Sequence, residues 1–168
     1  MAAGEPLHDA DHLIREVLRQ SGTIAMVGAS PSPARPSNFV MKYLQKKGYR
    51  VIPVNPRAAE RAIHGERVYA ALGEVPGPVE MVDVFRSSDA IPQVVDEVVF
   101  QKDRLGIQFV WLQLGVHNDE ARRRASAAGL TVIMDRCIKI EFARLFGELS
   151  RREVNAAIIS AGRPGPRP

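Results

Sequence analysis

Thr23-Ile24-Ala25-Met26-Val27-Gly28-Ala29-Ser30 is a short apolar run that ends in a glycine and a hydroxyl. A run of this length without alternation predicts a strand buried on both faces, over 24–28. Beyond it, Ser37 stands where it can cap a helix that carries Val40, Tyr43 and Leu44 and stops at Gly48. RVIPVNP follows and predicts a second strand at 50–54. Upstream, residues 9–20 place Leu13, Ile14, Val17 and Leu18 on one helical face, with Gly22 as the stop.

The same alternation continues to the end of the chain. Strand signals recur at MVDVF (81–85), FVWLQL (109–114) and TVIM (131–134). Between them, Ile91, Val94, Val95, Val98 and Val99 have helical spacing, and Pro92 falls near the first turn, where it is tolerated. Asn118 caps a further helix with Asp119 and Glu120 in its first turn, and a last helix over 139–149 carries Phe142, Leu145, Phe146 and Leu149. Strands alternating with helices predict βαβ units. The fold class is therefore α/β: a doubly wound parallel sheet, Rossmann-like, three-layer α/β/α, in one domain. Right-handed crossovers favour the strand order 2-1-3-4-5. The piece around Glu66–Val68 is read as an added edge strand. We expect residues 1–22 to pack as a helix on a domain spanning 23–150, and the Pro- and Gly-rich basic stretch 151–168 to be disordered.

Composition narrows the function classes. The 168 residues suit one domain, with 45% hydrophobic and 25% charged residues. The net charge of +4 suits an anionic ligand, but its scatter and the 6% aromatic content argue against nucleic acid. Cys137 is the single cysteine, so no internal disulfide and no metal cluster built on cysteines is expected. The start of the chain is acidic and lacks the apolar run of a signal peptide, and no stretch approaches the roughly 20 apolar residues of a membrane span. The expected location is cytoplasmic, with no membrane partner.

In open α/β sheets, ligands bind at the carboxyl ends of the strands where the chain order reverses. Here that point lies between the first strand and the strand at 81–85. The loop leaving the first strand is Gly28-Ala29-Ser30-Pro31-Ser32-Pro33-Ala34-Arg35-Pro36-Ser37. Gly28 permits close backbone approach, Ser30 and Ser32 offer hydroxyls, and Arg35 offers a bidentate cation. A helix starting at Ser37 would aim free N–H groups at the same place. The bland alternative is an ordinary connection whose serines are caps. The dinucleotide fingerprint G-x-G-x-x-G is absent, and Asn55-Pro56-Arg57 stands where a ribose-binding acid is expected. Arg57 favours a phosphorylated ribose, as in NADP or coenzyme A, over NAD, unless it is simply a solvated surface arginine.

Together these stretches resemble the small CoA-binding proteins, relatives of the CoA-binding domain at the front of the succinyl-CoA synthetase α subunit and of ADP-forming acyl-CoA synthetases. The resemblance runs from about Ile24 to Leu149. It is carried by VGAS (27–30), RPSNFV (35–40), GYRVIPVNP (48–56), YAAL (69–72), VDVFR (82–86), VWLQLGV (110–116) and AGLTVIMDRCIKIE (128–141). It implies that Gly28, Ser30, Pro31 and Ser32 line the phosphate loop of CoA, and that Arg57 stands where the family's basic residue meets a CoA phosphate. Ala29, Arg35, Ser37 and Asn55 are taken with them as candidate cofactor-binding residues. Phe85 and Arg86, and then Gln113, Leu114 and Gly115, would border the adenosine or pantetheine path.

The implied cofactor is coenzyme A, the implied partners are CoA or acyl-CoA, and no protein partner is specified. The ligases carry a phosphorylated histidine in a further domain, whereas His8, His12, His64 and His117 fall in no catalytic motif. The expected function is thus a non-catalytic CoA-binding module. The alternatives are the CoA-binding subunit of a multi-subunit acyl-CoA ligase and an NADP-linked redox regulator. No catalytic residue and no metal ligand is assigned. Cys137 is read as a small buried residue, or else as a thiol activated by a helix start and Arg136. Trp111 is read as core, and Asp83 as a satisfied structural carboxylate.

Overall fold

The computed structural model describes residues 7–153. The expected disordered stretch 151–168 lies outside the described residues from 154 onward. Five strands form one parallel sheet: β1 (Thr23–Val27), β2 (Arg50–Val54), β5 (Met81–Val84), β6 (Phe109–Leu112) and β7 (Thr131–Ile133), in the order β2-β1-β5-β6-β7. This is the expected 2-1-3-4-5 topology, with every neighbouring pair parallel. Strands β5 and β6 are buried at every position, which is why their sequences are apolar without alternation apart from Asp83 in β5.

Helices cover both faces. On one face, α1 (Leu7–Gln20), α2 (Pro36–Lys46) and α5 (Ile138–Phe146) pack over Ile24, Met26, Met81 and Trp111. On the other, α3 (Ile91–Leu105) and α4 (Asp119–Ala127) pack over Ala25, Val82, Val84 and Val110. Pro92 occupies the first turn of α3, and the Asn118 side chain accepts from the Ala121 N–H at 2.9 Å to cap α4.

Four details differ from expectation. The helix after β1 begins at Pro36 with Arg35 as its cap residue; the Ser37 hydroxyl makes no cap and instead accepts from the Ser30 N–H at 3.0 Å. Proline at the first helical position needs no N–H partner, so the helix can begin one residue early. The Glu66 region is not a strand added to the main sheet. Ala62–Ile63 (β3) and Glu66–Arg67 (β4) make a separate antiparallel ribbon, turned by His64 and Gly65 at positive φ, and only Tyr69 bridges to Val54. Helix α5 stops at Phe146 because Gly147 adopts φ 58°, leaving Leu149 outside. Leu13 lies at the rim of the α1 interface, 40% exposed, while Ile14, Val17 and Leu18 are buried.

Candidate functional site

The loop after β1 is held by its own polar groups. The Ser30 Oγ accepts from the Ser32 N–H at 3.1 Å, and the Asn38 side chain donates to the Ser30 carbonyl at 3.0 Å. The Asn55 side chain donates to the Ala29 carbonyl at 2.8 Å and accepts from the Arg57 N–H at 3.0 Å, so the exits of β1 and β2 are tied together. Gly28 has φ 86°, and its N–H is taken by the Val54 carbonyl. A Cβ there would run into the Phe85 carbonyl. The glycine is therefore required by the neighbouring strand exit, quite apart from any ligand. The start of α2 supplies fewer free donors than expected, since Pro36 has no N–H and the Asn38 N–H is taken by the Arg35 carbonyl.

Above the carboxyl edge of the sheet lies a cavity of about 800 Å³. Such a volume is within the range of small-molecule sites. Of the residues singled out from sequence, Gly28, Ser30, Pro31, Arg35, Ser37, Asn55, Arg57, Phe85, Arg86, Gln113 and Leu114 line it. Ala29, Ser32 and Gly115 do not. Ala29 is buried beneath the loop, Ser32 closes the turn, and Gly115 donates its N–H to Asp135 at 2.7 Å on the rim.

The cavity's charge is one-sided. Arg35, Arg57, Arg61 and Arg86 line it, and no Asp or Glu does. Among the described residues, none of these guanidiniums donates to protein or lies within ion-pair distance of a carboxylate, whereas Arg67, Arg124 and Arg144 are each paired. Four cations lining one concave surface without counter-charge give it a positive field that suits an anion, with no ion pair to be broken first.

Behind Gln113, outside the cavity lining, lies a different chemistry. Asp83 is fully buried in β5, where its Oδ1 accepts from the Gln113 side chain and its Oδ2 has no partner. It is thus only half satisfied, contrary to expectation. Burial pushes its carboxyl up to about 8, against the opposing pull of the Gln113 hydrogen bond. The Gln113 Oε1 in turn faces the Ile138 N–H at 3.4 Å, linking β5, β6 and the start of α5. Trp111 is core as expected, and its indole N–H donates to the Arg136 carbonyl at 2.8 Å, which seats the segment leading to Cys137. Cys137 is partly exposed on the cavity wall, so it is no fully buried core residue.

Sequence reasoning missed Arg61, Phe39 and Ile140. Arg61 reaches the cavity through the turns after β2, which carry no periodicity. Phe39 and Ile140 did leave a signal: each is a large apolar residue off the buried stripe of its helix, 48% and 54% exposed. Among the described residues, no group of three or more His, Cys, Asp or Glu comes together in a way that could hold a metal, and no helix is long and apolar enough to cross a membrane.

Comparison with known proteins adds an independent line. The sequence profile of the CoA binding domain matches residues 22–143. Uncharacterized protein YneT of Bacillus subtilis is 40% identical over 130 residues, covering 77% of this chain and 92% of that protein. The α subunit of ADP-forming acetate–CoA ligase I from Pyrococcus furiosus is 33% identical over 86 residues, 49% of this chain but 19% of that subunit. A solved structure from Thermus thermophilus superposes with a TM-score of 0.75 at 40% identity, covering 81% of this chain and 98% of that one.

Proposed function

The chain belongs to the CoA-binding domain family, and from that premise we propose that it binds coenzyme A, free or as a thioester, along the carboxyl edge of its sheet, without catalysis of its own. The observation that carries this reading is the set of four unpaired arginines around one cavity that has no acidic lining. Coenzyme A brings a ribose 3′-phosphate and a diphosphate, and both need cations. Arg57 and Arg61, beyond β2, suit the ribose phosphate. Arg35 and Arg86, beyond β1 and β5, suit the diphosphate, with the Ser30 hydroxyl beside them. A single free thiol fits a reducing, cytoplasmic compartment.

The test is titration of the protein with CoA, dephospho-CoA and NADP, followed by calorimetry and thermal shift. Ligand at 100 times Kd should stabilise the fold by about 2.7 kcal/mol. Losing the charge-assisted contact to the 3′-phosphate should cost about 1.5–3 kcal/mol, so dephospho-CoA should bind more than about tenfold more weakly than CoA. Arg57→Ala should narrow that preference, and Arg57→Ala combined with Arg61→Ala should bind both almost equally. A thermal shift with NADP and none with millimolar CoA would overturn the proposal. An unchanged preference in Arg57→Ala would remove that arginine from the site.

The similarity to a ligase α subunit favours a second reading, in which the chain supplies the CoA site of a larger acyl-CoA ligase. Both readings place CoA in the same cavity, and they part on whether an acid and a nucleotide are turned over.

A further inference from the structure

The cavity changes character along its length, and the strand order sets the direction. Followed from β2 to β7, its lining passes from Arg57 and Arg61, past Arg35 and Arg86, to Leu114 and Ile140. This edge spans four strand spacings, about 19 Å. Phe39, on α2, faces the same cavity. Phe39, Leu114 and Ile140 are 48%, 64% and 54% exposed, and they are three of the six large hydrophobic side chains left exposed among the described residues. Half of the exposed large apolar groups among the described residues thus line a single cavity: Leu114 and Ile140 follow β6 and β7, whose exits bring no arginine to the lining, and Phe39 lies on α2 one turn beyond Arg35. The Lys139 ammonium lies 5.5 Å from the Phe39 ring centroid, which sets the start of α5 against the start of α2, and the Gln113 amide on the same lining is engaged below by Asp83 and the Ile138 N–H. A cluster of solvated apolar side chains continuous with a polar site marks a surface that a ligand covers.

We infer that this end is an acyl subsite, and that the protein takes CoA thioesters of medium-chain fatty acids in preference to free CoA. The inference rests on the proposed CoA reading, which fixes the ligand's direction. The phosphates must lie with the arginines, so the pantetheine arm runs toward β6 and β7, and the group carried on sulfur arrives among Phe39, Leu114 and Ile140. The bare thiol would leave these side chains in water. An acyl chain would cover them, gaining up to about fourfold in affinity per methylene, the equivalent of roughly 0.8 kcal/mol for each CH2 buried.

The experiment is calorimetric measurement of Kd for CoA and for acetyl-, butyryl-, hexanoyl- and octanoyl-CoA on the full chain. Affinity should rise with chain length, with octanoyl-CoA binding at least tenfold more tightly than acetyl-CoA. Ile140→Gln should lower that octanoyl-to-acetyl ratio several-fold. Phe100→Ser, at a side chain 84% exposed on α3 and outside the cavity, should leave the ratio unchanged. CoA binding with no dependence on chain length overturns the acyl subsite while the CoA reading stands. If the protein is then a dimer by sedimentation and Ile140→Gln makes it a monomer, the apolar end belongs to a second copy. A ratio that falls equally in Phe100→Ser also overturns the inference, because it reports unspecific contact. Binding of neither CoA nor any thioester removes the CoA reading and this inference together.

Discussion

Asp83 has no partner for one oxygen in the middle of a parallel sheet, and its protonation follows from that position. The unfolded chain holds its carboxyl near 3.8, and burial raises it to about 8 in the folded protein. Between those values the folded state keeps a proton that the unfolded state has lost. Its contribution to stability is therefore complete below about pH 4 and drains away as pH rises to about 8, with a slope approaching about 1.4 kcal/mol per pH unit. Asparagine has the shape of the protonated acid without its titration. Urea unfolding across this range should show Asp83→Asn gaining stability relative to the parent as pH rises. Parallel pH profiles would mean that the carboxyl ionises in place. Gly28 makes a second point at this scale: its positive φ and the nearby Phe85 carbonyl demand glycine for the fold itself, so its presence alone is weak evidence of a ligand.

At the scale of elements, α1 is a helix fastened to the sheet layer by few polar contacts. The Tyr49 hydroxyl donates to the Leu18 carbonyl at 2.6 Å, and the Arg151 guanidinium donates to the Ser21 carbonyl at 2.7 Å. At the other end, Arg144 of α5 grips both oxygens of Asp11 and also Glu141, and its guanidinium beside Asp11 holds that carboxyl below its ordinary range. The Arg144 side chain is 42% exposed, so water screens the pair and its share of global stability is small. Its effect should be local. Arg144→Ala should speed amide exchange in the first turns of α1 while the exchange of β1 and β5 stays unchanged, because Ile14, Val17 and Leu18 still anchor the helix. Equal acceleration in helix and sheet would show that they open as one unit.

For the whole molecule, the open question is turnover. Activating an acid through phosphate requires a nucleotide site and something to hold the transferred phosphoryl group. In the proposed non-catalytic reading the arginine-lined cavity is taken by CoA. Purified protein mixed with ATP or GTP, magnesium, CoA and a panel of short acids should therefore release no phosphate above background. Release that needs both CoA and an acid, and that survives repurification, would make the chain a working part of a ligase.

The sheet was legible because β1, β5 and β6 are buried on both sides, and strands in that setting are apolar at nearly every position (Asp83 is the exception in β5), a property each stretch carries by itself. That the loop from Gly28 to Ser37 and the residue Arg57 reach one cavity was legible for a related reason: both leave the carboxyl ends of neighbouring strands, and strand ends leave local marks. Ser37 was misread as a cap because Pro36 and Ser37 compete for the same helix start, and only the fold shows Ser37 turned toward Ser30. The ribbon at Ala62–Arg67 was misread because two-residue strands carry no periodicity. What tertiary structure alone decided is the cavity as a whole: that Arg61 joins Arg35, Arg57 and Arg86, and that Phe39, Leu114 and Ile140 line the same surface. Sequence pattern records how each element divides itself between core and water. A binding surface is assembled from the ends of several elements, and their meeting depends on strand order and crossover hand, which bring together residues far apart along the chain.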